Sequence, residues 1–266
     1  MGRIEDKLQY LKAKNEKALI FYLTAGDPGL DVMEALIYGL ERAGADILEV
    51  GVPFSDPTAD GPVIQAASQR ALKNKTTLSG ILHLIEKVRR KSDIPIVLFG
   101  YYNPVFIYGC RKFAKRAEEA GVDGLLIVDL PFEESPELRR YTDACGIDFI
   151  SLIAPTTNND RIKAIAAQSG GFLYYISITG VTGTAKPKPA DVKKEVHRIK
   201  RITSLPVVVG FGITTPKEAS AIAPLADGIV VGSALVKLIE ENSRRADLIK
   251  KAEKFAADFK KAIKQN

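Results

Sequence analysis

The chain has 266 residues, 46% of them hydrophobic, with 38 lysines and arginines against 32 acids for a formal charge of +6. That is ample for one large core, and no apolar run is long enough to span a membrane. The basic excess sits in segments such as 246–259, where lysines alternate with acids around Leu248, Phe255 and Phe259, so it reads as the solvated face of a helix and no nucleic-acid partner is expected.

The opening MGRIEDKLQYLKAKNEK predicts an amphipathic helix bearing both signs of charge, unlike a secretory or transit signal, so a cytoplasmic protein is expected. Residues 18–25, ALIFYLTA, predict strand one, and Val32, Leu36, Ile37 and Leu40 follow at helical spacing. Next comes 46–65, DILEVGVPFSDPTADGPVIQ, which reads as a strand, a Pro/Gly/Asp loop and a helix start. Alternation puts Ile47, Glu49 and Gly51 on one face of that strand, so Glu49 shares its side with small and apolar neighbours. A carboxylate buried there without a partner costs on the order of several kcal/mol, so it pairs, stays protonated or works. Asp60 lies on the loop that follows and can fold back over the strand end. The alternatives are a structural ion pair for Glu49 and a turn or helix-cap role for Asp60 ahead of Pro62.

Helical patterns cover 62–72 and 77–90, strand three is 94–101, and a helix follows Asn103-Pro104 over 111–120. Strand four at 123–129, a helix over 133–144, strand five at 147–153 and a helix near 160–167 continue the rhythm. Strand six at 172–177, a helix near 190–202, strand seven at 207–210, a helix at 215–223 and strand eight at 228–231 complete it, with helices from Ser233 to the end. Ala43-Gly44-Ala45-Asp46, Ala120-Gly121-Val122-Asp123 and Cys145-Gly146-Ile147-Asp148 each set a helix-ending glycine before a strand. Eight strands alternating with helices predict a single-domain (β/α)8 TIM barrel over 1–266, with an extra N-terminal helix and extra helices after strands two and eight. A doubly wound sheet predicts a glycine-rich nucleotide turn after strand one, and Thr24-Ala25-Gly26-Asp27-Pro28-Gly29 contains no G-x-G-x-x-G.

A barrel gathers its βα loops at one face. There Glu49 and Asp60 would meet three glycine-bearing turns: 180–183 (GVTG), 210–213 (GFGI) and 231–234 (VGSA). Glycines let backbone N–H groups approach an anion closely, and the helix starting at Ser233 points its positive end the same way, which predicts a phosphate cup. Tyr22, Phe99, Tyr101, Tyr174 and Phe211 fall at or just past strand ends and predict an apolar slot for a flat aromatic ligand, with core packing as the alternative for each ring. His83 and His197 lie in helices, and neither they nor Cys110 and Cys145 have metal spacing, so no metal is expected.

The run LEVGVPFSDPTADGPVIQ from Leu48 resembles the signature of the tryptophan synthase α subunit family. Thr24-Ala-Gly-Asp-Pro, Tyr102-Asn-Pro, Asp129-Leu-Pro, Gly180-Val-Thr-Gly and Gly210-Phe-Gly-Ile match it in order over nearly the whole chain. The resemblance implies a lyase that splits indole-3-glycerol phosphate into indole and glyceraldehyde 3-phosphate by a retro-aldol route. It implies that Glu49 is the acid/base and that Asp60 stabilises the indole N–H as positive charge develops. Gly183, Gly212, Gly232 and Ser233 would hold the phosphate, and Tyr22, Phe99, Tyr174 and Phe211 the indole, with Asp129 beside them. Loops 53–61 and 178–191 would close over the substrate, bringing Thr182 to Asp60. The implied partner is a pyridoxal-phosphate-dependent β subunit in an α2β2 assembly, met at Asp56, Pro57, Asn103 and Pro104, with the cofactor on the partner and none in this chain. A stand-alone lyase and a non-catalytic phosphate-ligand barrel are the rival readings.

Overall fold

The computed structural model describes residues 2–176, 188–210 and 212–264. In chain order the first half runs α1 (Arg3–Ala13), β1 (Ala18–Thr24), α2 (Leu30–Arg42), β2 (Ile47–Gly51), α3 (Pro62–Lys73), α4 (Leu78–Val88), β3 (Ile96–Gly100), α5 (Tyr102–Tyr108), α6 (Cys110–Ala120) and β4 (Gly124–Ile127). The second half runs α7 (Pro136–Thr142), β5 (Asp148–Phe149), β6 (Ser151–Ile153), α8 (Asn159–Ala166), β7 (Leu173–Ile176), α9 (Pro189–Lys200), β8 (Val207–Gly210), α10 (Pro216–Ile222), β9 (Gly228–Val231), α11 (Ser233–Asn242) and α12 (Leu248–Lys264).

All strand pairs are parallel, in the order β5-β4-β3-β2-β1-β9-β8-β7-β6. The two ends of that order, β5 and β6, are halves of the expected fifth strand separated by Ile150 alone. The first half bonds to β4 and the second to β7, so this strand hands over from one neighbour to the other and closes the barrel. The expected extra helices stand where the sequence puts them, at the N-terminus and after the second and eighth strands. One more, α5, follows β3. Its proline, Pro104, is tolerated because first-turn N–H groups have no helical acceptor in any case.

Alternation along the strands divides the core into two shells. Leu19, Phe21, Leu23, Leu48, Val50 and Leu98 face outward to the helices. Ile20, Ile47, Val97, Leu126, Val208 and Val230 fill the barrel, and Ile4, Leu8 and Leu11 of α1 join that inner cluster, plugging the lower end. Glu49 belongs to the inward-facing set, as its register with Tyr22 and Val97 requires.

The Gly-x-Asp repeats have a shared task at that lower end. Asp46 Oδ2 accepts from Leu19 N at 2.8 Å and Asp123 Oδ2 from Ile96 N at 2.7 Å, each fastening the start of one strand to its neighbour. Lys260 neutralises the first and Arg89 the second, both at 2.6 Å. Asp227 repeats the arrangement with Val207 N and Lys200. In the third sequence repeat Asp148 has no cationic partner among the described residues, and burial with acidic neighbours pushes its pKa up to about 6.

Candidate active site

The upper end of the barrel holds a cavity lined by Tyr22, Glu49, Asp60, Ile64, Phe99, Tyr174, Gly212, Ile213, Val230, Gly232 and Ser233. The strand register explains the company. Tyr22 stands level with Glu49, Phe99 is level with Gly51 one layer above, and Tyr174 projects from β7 across the barrel.

Glu49 is 1% exposed, and neither carboxyl oxygen has a hydrogen-bond partner among the described residues. The ion-pair alternative is thereby excluded among those residues. Loss of hydration disfavours the charged form and pushes its pKa up to about 8, so the side chain carries its proton at neutral pH.

Asp60 is 7% exposed at the end of the loop between β2 and α3. Gly61, and not Asp60, is the N-cap of α3, and no side chain caps that helix, which disposes of the cap alternative. Burial raises the Asp60 pKa to about 6, and a hydrogen bond from the Tyr101 phenol partly opposes the rise. The loop carboxylate is therefore ionised at neutral pH with a narrower margin than an exposed loop position implies. Tyr101 also accepts from Ala59 N at 3.0 Å and packs its ring on Phe54 at 5.2 Å, while Gln65 Nε2 donates to the Asp60 carbonyl at 2.8 Å. These contacts fold the loop back over the strand end.

Across the cavity, Gly232 is the N-cap of α11 and Ser233 its first residue, so unpaired N–H groups and the positive end of a ten-residue helix face the space. Gly212 contributes a left-handed turn, with φ 80°, that a side chain would strain. Thr182, Gly183 and Phe211 lie outside the described residues, as does most of the predicted second lid. Asp129 is not among the lining residues: its carboxylate accepts from Tyr102 N at 2.7 Å, at the start of α5. Asp56 and Asn103 are exposed and Pro57 and Pro104 half-buried at the same end of the barrel.

The lining also includes Ile64, Ile213 and Val230, none of which the sequence reading named as a site residue. A second unforeseen feature is a clamp. Arg70 of α3 meets Asp27 in a bidentate pair at 2.9 and 2.7 Å and also reaches Glu240 of α11 at 2.6 Å. It ties the β1 loop to the two helices whose N-termini border the cavity. The signal available was Asp27 in the Thr24-Ala-Gly-Asp-Pro motif; its partner, 43 residues on, had none. The site thus sets a neutral carboxylic acid, an ionised carboxylate and an apolar aromatic wall opposite a main-chain anion cradle. That arrangement can move a proton on an aromatic ligand anchored by a phosphate.

Comparisons with known proteins agree with this architecture. The family model described as "Tryptophan synthase alpha chain" matches residues 8–264. The tryptophan synthase alpha chain of Citrifermentans bemidjiense is 50% identical over 263 residues, covering 99% of this chain and 98% of that protein. That of Geobacter sulfurreducens is 49% identical over 263 residues, with 99% of each chain covered. Among solved structures, the tryptophan synthase subunit alpha of Legionella pneumophila superposes with a TM-score of 0.94 at 38% identity over 100% of both chains. A chain from a study of the tryptophan synthase a2b2 complex of Pyrococcus furiosus gives 0.81 at 37% identity, covering 92% of this chain and 97% of that one. With the family model matched almost end to end and half the residues shared with a full-length relative, this chain belongs to the tryptophan synthase alpha chain family.

Proposed function

We propose that this protein cleaves indole-3-glycerol phosphate to indole and glyceraldehyde 3-phosphate as the α subunit of tryptophan synthase. The observation that carries the reading is the buried Glu49 carboxyl, without a hydrogen-bond partner among the described residues and with a pKa of about 8, facing an apolar wall and an anion cradle in one cavity.

In the first step Glu49 gives its proton to C3 of the indole ring, and the ring nitrogen takes up the positive charge. Asp60, ionised, accepts a hydrogen bond from that N–H and stabilises the charge as it forms. Glu49, now a carboxylate, then removes the proton of the glycerol hydroxyl next to the ring. That oxygen's electrons form the aldehyde carbonyl, the carbon–carbon bond breaks, and its pair returns to the ring to neutralise the cation. Tyr22, Phe99, Tyr174 and Phe211 flank the indole. The N–H groups at Gly212, Gly232 and Ser233, with Gly183, bind the phosphate.

The product indole passes to a β subunit in an α2β2 assembly, and pyridoxal phosphate belongs to that partner. Support for the docking face is the exposed pair Phe106 and Ile107 on α5, beside Asn103 and Pro104 and next to the mouth. Single exposed apolar residues are ordinary, whereas two adjacent ones on one short helix support a contact there. Indole release from indole-3-glycerol phosphate by the purified chain, with and without the β subunit, tests the reading.

A further inference from the structure

Three phenols border the cavity or its loop, and one has a proton whose use the reaction above leaves open. Tyr101 is engaged with the Asp60 loop through Ala59 N. Tyr174 lays its hydroxyl over Gly210, where a Cβ would stand 2.0 Å from Oη. Tyr22 rises from β1 with its ring edge-on to Phe99, centroids 5.3 Å apart, and its hydroxyl passes over Gly51, where a Cβ would stand 2.1 Å from Oη. Gly51 thus opens the route by which this hydroxyl reaches the strand end from which the Asp60 loop departs.

Thr24 Oγ1 donates to Tyr22 Oη at 3.4 Å. A phenol has one proton and acceptor lone pairs, so accepting from Thr24 leaves that proton for the cavity. The carboxyl groups bordering the cavity among the described residues are those of Asp60 and Glu49, and Asp60 acts on the phenol more strongly than Glu49 does. Burial holds the phenol well above its ordinary range, so it is a neutral donor at any working pH.

We infer that Tyr22 is a positioning residue: in the substrate-loaded site its O–H donates to the Asp60 carboxylate and, with Tyr101, keeps that group turned toward the indole N–H. This rests on the indole-3-glycerol phosphate reading. The titratable groups around Asp60 are Glu49 from β2, Tyr22 from β1, Tyr101 after β3 and Tyr174 from β7, with no cation among the described lining residues. Among the described residues, the groups that act on the Asp60 carboxylate as donors are phenols.

The test is steady-state cleavage of indole-3-glycerol phosphate by wild type, Tyr22→Phe, Asp60→Asn and the double variant, each across pH. Tyr22→Phe keeps the ring and the packing. It is expected to lower kcat about tenfold with KM little changed, the effect of losing one hydrogen bond to a charged group. Its acidic limb should move to higher pH, because the carboxylate has lost a donor. On the Asp60→Asn background the same change should have little further effect. An unmoved acidic limb, or an equal loss on both backgrounds, overturns the positioning role while leaving the proposed reaction intact. Absence of cleavage by the wild type overturns the reaction itself.

Discussion

Two carboxyl groups in one cavity differ in protonation because they differ in surroundings. Glu49 has no partner among the described residues and lies fully inside the barrel; Asp60 has a phenol to hold it and a loop that reaches the mouth. Their pKa values, about 8 and about 6, leave a window in which one is protonated and the other ionised. We therefore expect kcat/KM for cleavage to be bell-shaped, with an acidic limb near 6 as Asp60 ionises and an alkaline limb near 8 as Glu49 loses its proton. Asp60→Asn should lose the acidic limb along with most of the activity. A profile that is flat through this window contradicts the assignment. The Glu49 shift also bears on stability. Its folded pKa is raised above the ordinary 4.5, so the penalty of burying the charge is absent below about 4.5 and grows as pH rises to about 8.

At the scale of elements, the cavity depends on how α3 and α11 are held. Arg70 bridges Asp27, which is almost wholly buried, to Glu240 of α11. Arg70→Ala leaves the Asp27 carboxylate buried and uncompensated, and we expect a loss of about 3 kcal/mol in chemical denaturation at neutral pH. An unchanged midpoint would show that the clamp contributes nothing. Sequence reading and structure part company along similar lines. Strands such as 207–210 and 228–231 were legible because parallel strands covered on both sides are continuous apolar runs. The Gly-x-Asp repeats were visible too, but not their purpose, since the cations that neutralise Asp46 and Asp123 lie 214 and 34 residues away. The helix α5 was missed because seven residues containing Asn103-Pro104 read locally as a turn, and tertiary packing of Val105 together with the Asp129 contact decides otherwise. Glu49 and Asp60 were legible because an acid amid Leu-x-Val-Gly-Val has no part in making a strand. The Asp60–Tyr101 contact was not, because it joins two loops far apart in sequence that only the pairing of β2 with β3 brings together.

The whole molecule places its chemistry and its two most exposed large apolar side chains at the same end. Phe106 and Ile107, 58% and 76% exposed, sit on the helix that directly follows β3 and Tyr101, so a partner seated there would press on the loop that carries Asp60. Closing that loop would exclude water and complete the site, which is how such a partner would raise turnover. Ile107→Glu should abolish stimulation by the β subunit and leave indole release by the isolated chain within about twofold, as expected of an exposed residue outside the cavity. Undiminished stimulation would move the interface elsewhere.

In the proposed cleavage, one buried carboxyl, Glu49, performs both proton transfers. The most direct measurement is indole released from indole-3-glycerol phosphate by Glu49→Gln beside the wild type, with thermal unfolding of both recorded near pH 8. Glutamine fills the same space and cannot ionise, so the variant should be folded, at least as stable as the wild type at that pH, and slower by several orders of magnitude. A folded Glu49→Gln that releases indole at close to the wild-type rate would rule out Glu49 as the proton donor.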